Sequence, residues 1–220
     1  MQARVLVVVA LVVSANVCRA AEQPPTLPEL VEIRKVDPTI VVDLRYASER
    51  NLTHRALYPH EMPALVRPSV AERLAAAQKF LRAHGFGLKI WDAYRPLRAQ
   101  RLLWQLAPNG SYVADPKSSV GSMHTRGVAV DATLVDKSGH DVAMPTDFDD
   151  FTPAATHVYH GDDALVRSNL NMLQRAMARS GFYGLRTEWW HFAAEDWGKY
   201  PPIEDAELTA PPAKASDATH

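Results

Sequence analysis

The stretch Ser122-Met123-His124-Thr125-Arg126-Gly127-Val128-Ala129-Val130-Asp131, with its distant companion Glu188-Trp189-Trp190-His191, decides how this chain is read. Together the two segments offer two imidazoles and two carboxylates. A catalytic zinc takes three protein ligands from His, Asp and Glu and leaves a fourth position for water. His124 is expected in the loop entering a strand and Asp131 within that strand, with Gly127 allowing a tight bend between them. His191 must come from a neighbouring strand near the other end of the chain. Ligands drawn from separated elements suit a rigid catalytic metal better than a local zinc finger. The single cysteine, Cys18, excludes both a Cys-rich zinc site and a disulfide framework.

Glu188 is the candidate general base, because a carboxylate beside a metal site can take the proton of an attacking water. It lies three residues before His191. In an ideal strand that offset points the two side chains to opposite faces. Either a bulge or a Glu188 in the loop before the strand is therefore required.

A third segment, Trp91-Asp92-Ala93-Tyr94-Arg95-Pro96, falls where a strand ends and a helix begins. Arg95 at that junction could stabilise the negative charge that builds on a carbonyl oxygen during hydrolysis. On chemistry alone, an ordinary ion pair with a surface carboxylate is an equal reading. His54, His60, His84, His140, His157, His160 and His220 fall in no ligand pattern. His157 and His160, three apart in a loop, are the rivals for a metal. Ser122 alone would be a turn serine, and Trp189 and Trp190 read as core and pocket wall.

Around these segments the pattern is that of an α+β domain, an antiparallel sheet with packed helices. Strands are expected at Ile40–Leu44, Leu88–Trp91, Val128–Val135 and Trp189–Ala193, with Lys137-Ser138-Gly139 turning the third one back. Helices are expected at Ser69–His84, from Pro96 to about Ala107, and at Leu165–Ser180. The first carries an apparent capping box, Ser69-x-x-Glu72, and the second has Pro at its first turn. Gly85 and Gly181 fit the stops.

The chain has 220 residues, 47% of them apolar, enough for one sizeable core over residues 30–204. Its formal net charge of −1 gives no electrostatic footprint for nucleic acid. Arg4, the apolar run Val5–Val13 and the small-residue site at Cys18-Arg19-Ala20 read as a secretory signal over residues 1–20, too short to span a bilayer comfortably. No stable membrane anchor is expected after its removal. Residues 21–29 form a Pro-rich leader and residues 205–220 read as a disordered tail.

The pattern S-x-H-x-x-G-x-A-x-D followed by E-x-W-H resembles the D-Ala-D-Ala metallopeptidases, which share a fold with the hedgehog signalling domain. Within them the chain is similar to the D-alanyl-D-alanine dipeptidases of the vancomycin-resistance type. Asp43-Leu-Arg-Tyr46-Ala-Ser, Asn51-Leu-Thr, Leu57-Tyr58, Leu88-Lys-Ile-Trp-Asp-Ala-Tyr-Arg-Pro and Phe148-Asp149 extend the likeness over about residues 36 to 200. The resemblance implies one zinc ion per chain on His124, Asp131 and His191, with Glu188 as general base and acid. It implies Arg95 as the transition-state stabiliser and Ser122, Tyr46 and Asp149 as lining of the dipeptide pocket. Asp149 would hold the substrate's free ammonium, and a charge demanding a partner rejects N-acylated peptides.

The implied reaction is hydrolysis of D-Ala-D-Ala to two D-alanines. The export signal places it in the periplasm, acting on D-Ala-D-Ala or related wall-derived peptides in turnover or scavenging. The alternatives are a D,D-carboxypeptidase or endopeptidase on peptidoglycan peptides, and a non-catalytic zinc-containing wall-binding module. A binding module has no chemical need for Glu188 or Arg95.

Overall fold

The structure is a computed structural model that describes residues 30–203. The expected signal, leader and tail lie outside these residues. The chain forms β1 (Val31–Glu32), α1 (Ile33–Val36), β2 (Val41–Val42), β3 (Leu65–Val66), α2 (Pro68–Arg82), β4 (Phe86–Asp92), α3 (Leu97–Leu106), β5 (Ala129–Asp136), α4 (Ala164–Arg179), β6 (Phe182–Leu185) and β7 (Glu188–Ala194). β1 and β3 pair as a small ribbon, and the main sheet runs β2-β4-β5-β7-β6. Among the described residues, no helix is long and apolar enough to cross a membrane.

The α+β class stands, with one correction to the expected sheet. β4, β5, β7 and β6 are antiparallel, but β2 runs parallel to β4. The intervening α2 is the reason, since a crossover through a helix returns the chain in the same direction. β2 is also shorter than the Ile40–Leu44 strand expected from sequence, because Arg45–Ala47 turns into a 3₁₀ helix.

The central strand β5 is buried on both faces, apart from Asp136 at its end. Val130, Ala132 and Leu134 take one face and Asp131 the other, as strand geometry requires. α2 and α4 pack together and onto the sheet. Val70, Leu74, Ala77 and Leu81 of α2 and Leu170, Leu173 and Met177 of α4 supply the buried stripes. Asp163 caps α4, its side chain accepting from the Leu165 and Val166 amides.

The capping box expected for α2 does not form. Arg67 is the cap, Pro68 is the first helical residue, and no side chain caps the end. The Ser69 hydroxyl instead lies 3.0 Å from the Tyr200 hydroxyl, tying the helix to the segment that follows β7. Proline at the first position already fixes the helical φ, so the start shifts by one residue.

Candidate active site

Three neighbouring strands bring the site together. Asp131 of β5 lies directly opposite His191 of β7, and on its other side opposite Asp92 of β4, just past an irregularity in that ladder. The row Asp92–Asp131–His191 thus crosses the centre of the sheet. His124 comes from a 3₁₀ turn, His124–Arg126, that ends on Gly127 at φ +70°. A Cβ at Gly127 would sit 2.8 Å from Leu30 Cδ2. The bend that delivers His124 therefore needs glycine for its torsion, and a side chain there would also have to move the end of Leu30.

The Ala93 carbonyl lies 2.8 Å from His124 Nδ1. A carbonyl can only accept, so Nδ1 carries the proton and Nε2 presents a lone pair. Nε2 lies 3.1 Å from His191 Nδ1 and 3.4 Å from Asp131 Oδ1. His191 Nδ1 is also 3.1 Å from Asp131 Oδ1. Two imidazole nitrogens and a carboxylate oxygen thus converge, all within 4.8 Å of one another. His124 and Asp131 are almost wholly buried.

The offset of Glu188 from His191 resolves through a register shift. Gly184 pairs with Phe192, but the next residue, Leu185, pairs with Glu188. The irregularity sits between Glu188 and Phe192 on β7, and both Glu188 and His191 line the same cavity. Glu188 is buried, and its Oε1 has no hydrogen-bond partner among the described residues. Burial first, then the Asp131 and Asp149 carboxylates, push its pKa well above the ordinary value. For His191, burial outweighs Asp131 and holds the imidazole below its usual pKa.

This donor set fits zinc. It has the ligand types and convergence that a three-ligand site requires. The buried carboxylate without a partner stands beside it, and three carboxylates share the cavity with Arg95. A divalent cation would supply the charge that Asp131, Glu188 and Asp149 lack.

All eight residues singled out in the sequence line one cavity of about 230 Å³: Tyr46, Arg95, Ser122, His124, Asp131, Asp149, Glu188 and His191. Arg95 is buried, so the surface ion pair considered for it does not occur. Its Nε and Nη2 donate to Asp92 Oδ2 at 3.0 and 2.7 Å, Nη1 donates to Gln100 Oε1 at 2.8 Å, and the guanidinium lies 4.8 Å above the Tyr46 ring. Ser122 Oγ accepts from the His124 amide at 3.3 Å, which leaves its own proton free to donate. Asp149 adopts φ +59°, a left-handed conformation that few residue types tolerate. Its carboxylate accepts from the Leu52 amide at 3.0 Å and from the Tyr46 hydroxyl at 3.4 Å. Burial is the main force that raises its pKa to about 7, with Asp131 adding to it.

The rival histidines are elsewhere. His157 packs against Gly184 of β6 rather than into the cavity, and neither it nor His160 belongs to a metal-binding group among the described residues. Trp189 and Trp190 are core residues, and neither lines the cavity. The Trp189 indole donates to Thr146 Oγ1 at 2.9 Å.

Sequence reasoning missed Asp92, Tyr58 and Gln100. Asp92 is fully buried, accepts from Tyr58 at 2.7 Å and grips Arg95. Its position three residues before Arg95 was the available signal. Tyr112 and Phe151, which also line the cavity, stack at 4.3 Å with a 17° interplanar angle and join two of its loops. Nothing in their spacing announces that contact.

The chain is similar to known proteins. A family described as D-ala-D-ala dipeptidase matches residues 27–207. The D-alanyl-D-alanine dipeptidase of Escherichia coli (strain K12) is 35% identical over 178 residues, covering 80% of this chain and 90% of that protein. The D-alanyl-D-alanine dipeptidase of Enterococcus faecium is 30% identical over 172 residues, covering 70% of this chain and 85% of that protein. Among solved structures, a vancomycin-resistance D,D-pentapeptidase in complex with Zn(II) is 16% identical with a TM-score of 0.40, covering 63% of this chain and 77% of its own.

Proposed function

The chain belongs to the D-Ala-D-Ala dipeptidase family of peptidases, and from that premise we propose that it hydrolyses the dipeptide D-Ala-D-Ala to two D-alanines with zinc held by His124, Asp131 and His191. The observation that carries this reading is the convergence of those three groups in a cavity that Glu188 and Asp149 also line. A zinc ion there would polarise the scissile carbonyl and lower the pKa of a water toward neutrality.

The chain's own groups supply the rest. Glu188 takes the proton of the attacking water as the oxygen bonds to the carbonyl carbon. The Arg95 guanidinium, fixed by Asp92 and Gln100, offsets the charge gathering on the carbonyl oxygen. Glu188 then delivers the proton to the leaving amine as the C–N bond breaks. Asp149, oriented by Leu52 and Tyr46, receives the dipeptide's ammonium. An N-acylated peptide brings no cation to that carboxylate, so its binding leaves a buried charge without a partner. Ser122 contributes a hydroxyl donor to the pocket wall.

The reading of residues 1–20 as a secretory signal supports export to the periplasm, where the substrate would be D-Ala-D-Ala released in wall turnover. Cell fractionation checks this, and retention in the cytosol with residues 1–20 intact refutes it. The activity is tested by incubating protein that lacks residues 1–20 with D-Ala-D-Ala and with an N-acylated peptide ending in D-Ala-D-Ala, each with zinc and with chelator. Chelator-sensitive D-alanine release from the free dipeptide alone is expected. Release from the acylated peptide would move the protein to the carboxypeptidase reading, and release from neither would overturn hydrolysis.

A further inference from the structure

Gln100 lies on α3 and is fully buried. Its amide is used from both ends. The oxygen accepts from Arg95 Nη1 at 2.8 Å, and the nitrogen donates to the Ala114 carbonyl at 2.7 Å. The partners fix that orientation, because a guanidinium only donates and a carbonyl only accepts. Ala114 and its neighbours Tyr112 and Val113 form one wall of the cavity. The backbone of this segment is otherwise tied mainly to itself: the Tyr112 and Val113 amides donate to the Asn109 carbonyl at 3.0 and 2.8 Å.

Arg95 is held from its other side by Asp92, which takes Nε and Nη2 on a single oxygen, Oδ2. Two donors on one acceptor atom leave the guanidinium free to pivot about that atom. The Gln100 bond to Nη1 adds a second anchor on the far side, beside the Tyr46 ring that the guanidinium lies over. It also makes the position of the guanidinium depend on where segment 112–114 sits.

We propose that Gln100 is a positioning residue that couples the Arg95 guanidinium to the 112–114 wall of the substrate cavity, so that charge and wall hold one geometry relative to the scissile carbonyl. This inference rests on the dipeptidase reading. Its consequence is a division of labour within one side chain. The amide oxygen serves the chemical step through Arg95, and the amide nitrogen serves substrate binding through the wall.

Two substitutions separate the halves. Gln100→Leu keeps the approximate volume and removes both bonds. Gln100→Glu keeps an acceptor for Arg95 and, being unable to donate when ionised, releases the Ala114 carbonyl. With D-Ala-D-Ala and zinc, Gln100→Leu is expected to lower kcat by about 10- to 100-fold, the scale on which outer partners of active-site groups act, and to raise KM. Gln100→Glu is expected to recover kcat to within a few-fold of the parent, on the order set for charge-assisted pairs by their stronger bond, while KM stays raised. Zinc content and thermal melting are measured on each variant. A Gln100→Leu protein that melts lower but keeps its kcat within about twofold, the range of an unimportant context effect, would reduce Gln100 to a packing residue. Equal loss of kcat in both variants would break the link through Arg95. An inactive parent protein would instead overturn the dipeptidase reading, and this inference with it.

Discussion

Replacing Asp149 with asparagine should make the metal-free protein more stable above neutral pH while it loses its substrate. The substitution is chosen for its backbone. At φ +59° asparagine is, like aspartate, among the residues that tolerate the left-handed region. Its carbonyl oxygen can still accept from Leu52, and its amide can face the Tyr46 hydroxyl. What changes is the charge. The Asp149 carboxyl sits at about 7 instead of the ordinary 3.8. Between those values the folded protein binds a proton that the unfolded chain has released. Stability therefore falls as pH rises through this window and levels off above it. At 1.36 kcal/mol per pKa unit the full difference comes to about 4 kcal/mol. The side chain is partly open to the cavity, and solvent screening reduces this to about 1–3 kcal/mol. Urea unfolding of the parent and Asp149→Asn proteins, with metal chelated, should give equal pH-independent offsets near pH 4 and a gap opening in favour of the variant by pH 8. The same variant should lose about 100-fold or more in kcat/KM for D-Ala-D-Ala, the scale of a lost charge-assisted contact of 3 kcal/mol or so. A variant that is less stable than the parent at pH 8, or a gap that does not change with pH, would refute the reasoning.

Glu188→Gln should lower kcat by about 100- to 10,000-fold while zinc still binds, since it removes the proton acceptor and no ligand; initial rates with metal analysis on the same sample check both halves. Gly127→Ala should cost about 1–2 kcal/mol from the left-handed φ alone. The close approach of the new Cβ to Leu30 adds to this, and the displaced His124 turn should weaken zinc binding, read by chelator competition. Arg95→Lys should lower kcat more than it raises KM, because an ammonium cannot hold Asp92 and Gln100 in the same fork; steady-state kinetics distinguish the two.

The local parts of the fold were legible where sequence and packing agree. The stripes of α2 and α4 and the run of β5 carry periodicities that burial enforces. The small ribbon was not, because β1 and β3 are two-residue pairings that owe their form to neighbours rather than to any pattern of their own, whereas β2 was legible within Ile40–Leu44 and only its length was not. β6 was passed over for a similar reason: Tyr183 and Leu185 are half exposed and Gly184 interrupts it. At the site, ligand types were readable because chemistry restricts them. The Glu188 offset was readable only as a conflict, and the register shift against Leu185 lies in the pairing of β6 with β7. Asp92 offered a signal in its spacing, three residues before Arg95, but the role of Gln100 depends on what Arg95 reaches in three dimensions, which neither composition nor spacing encodes.

The row Asp92–Asp131–His191 spans three strands, and β7 arrives from far along the chain. An unfolded chain holds His124 and Asp131 near each other but has no reason to keep His191 with them. An ion that needs all three therefore discriminates sharply between the paired and the unpaired sheet. Its binding energy adds to the closure of that sheet in proportion to the logarithm of free ion over its dissociation constant. With zinc as the proposed ion, the midpoint of thermal unfolding should become a gauge of ambient zinc, and scarcity of the ion should weaken the scaffold and the active site together.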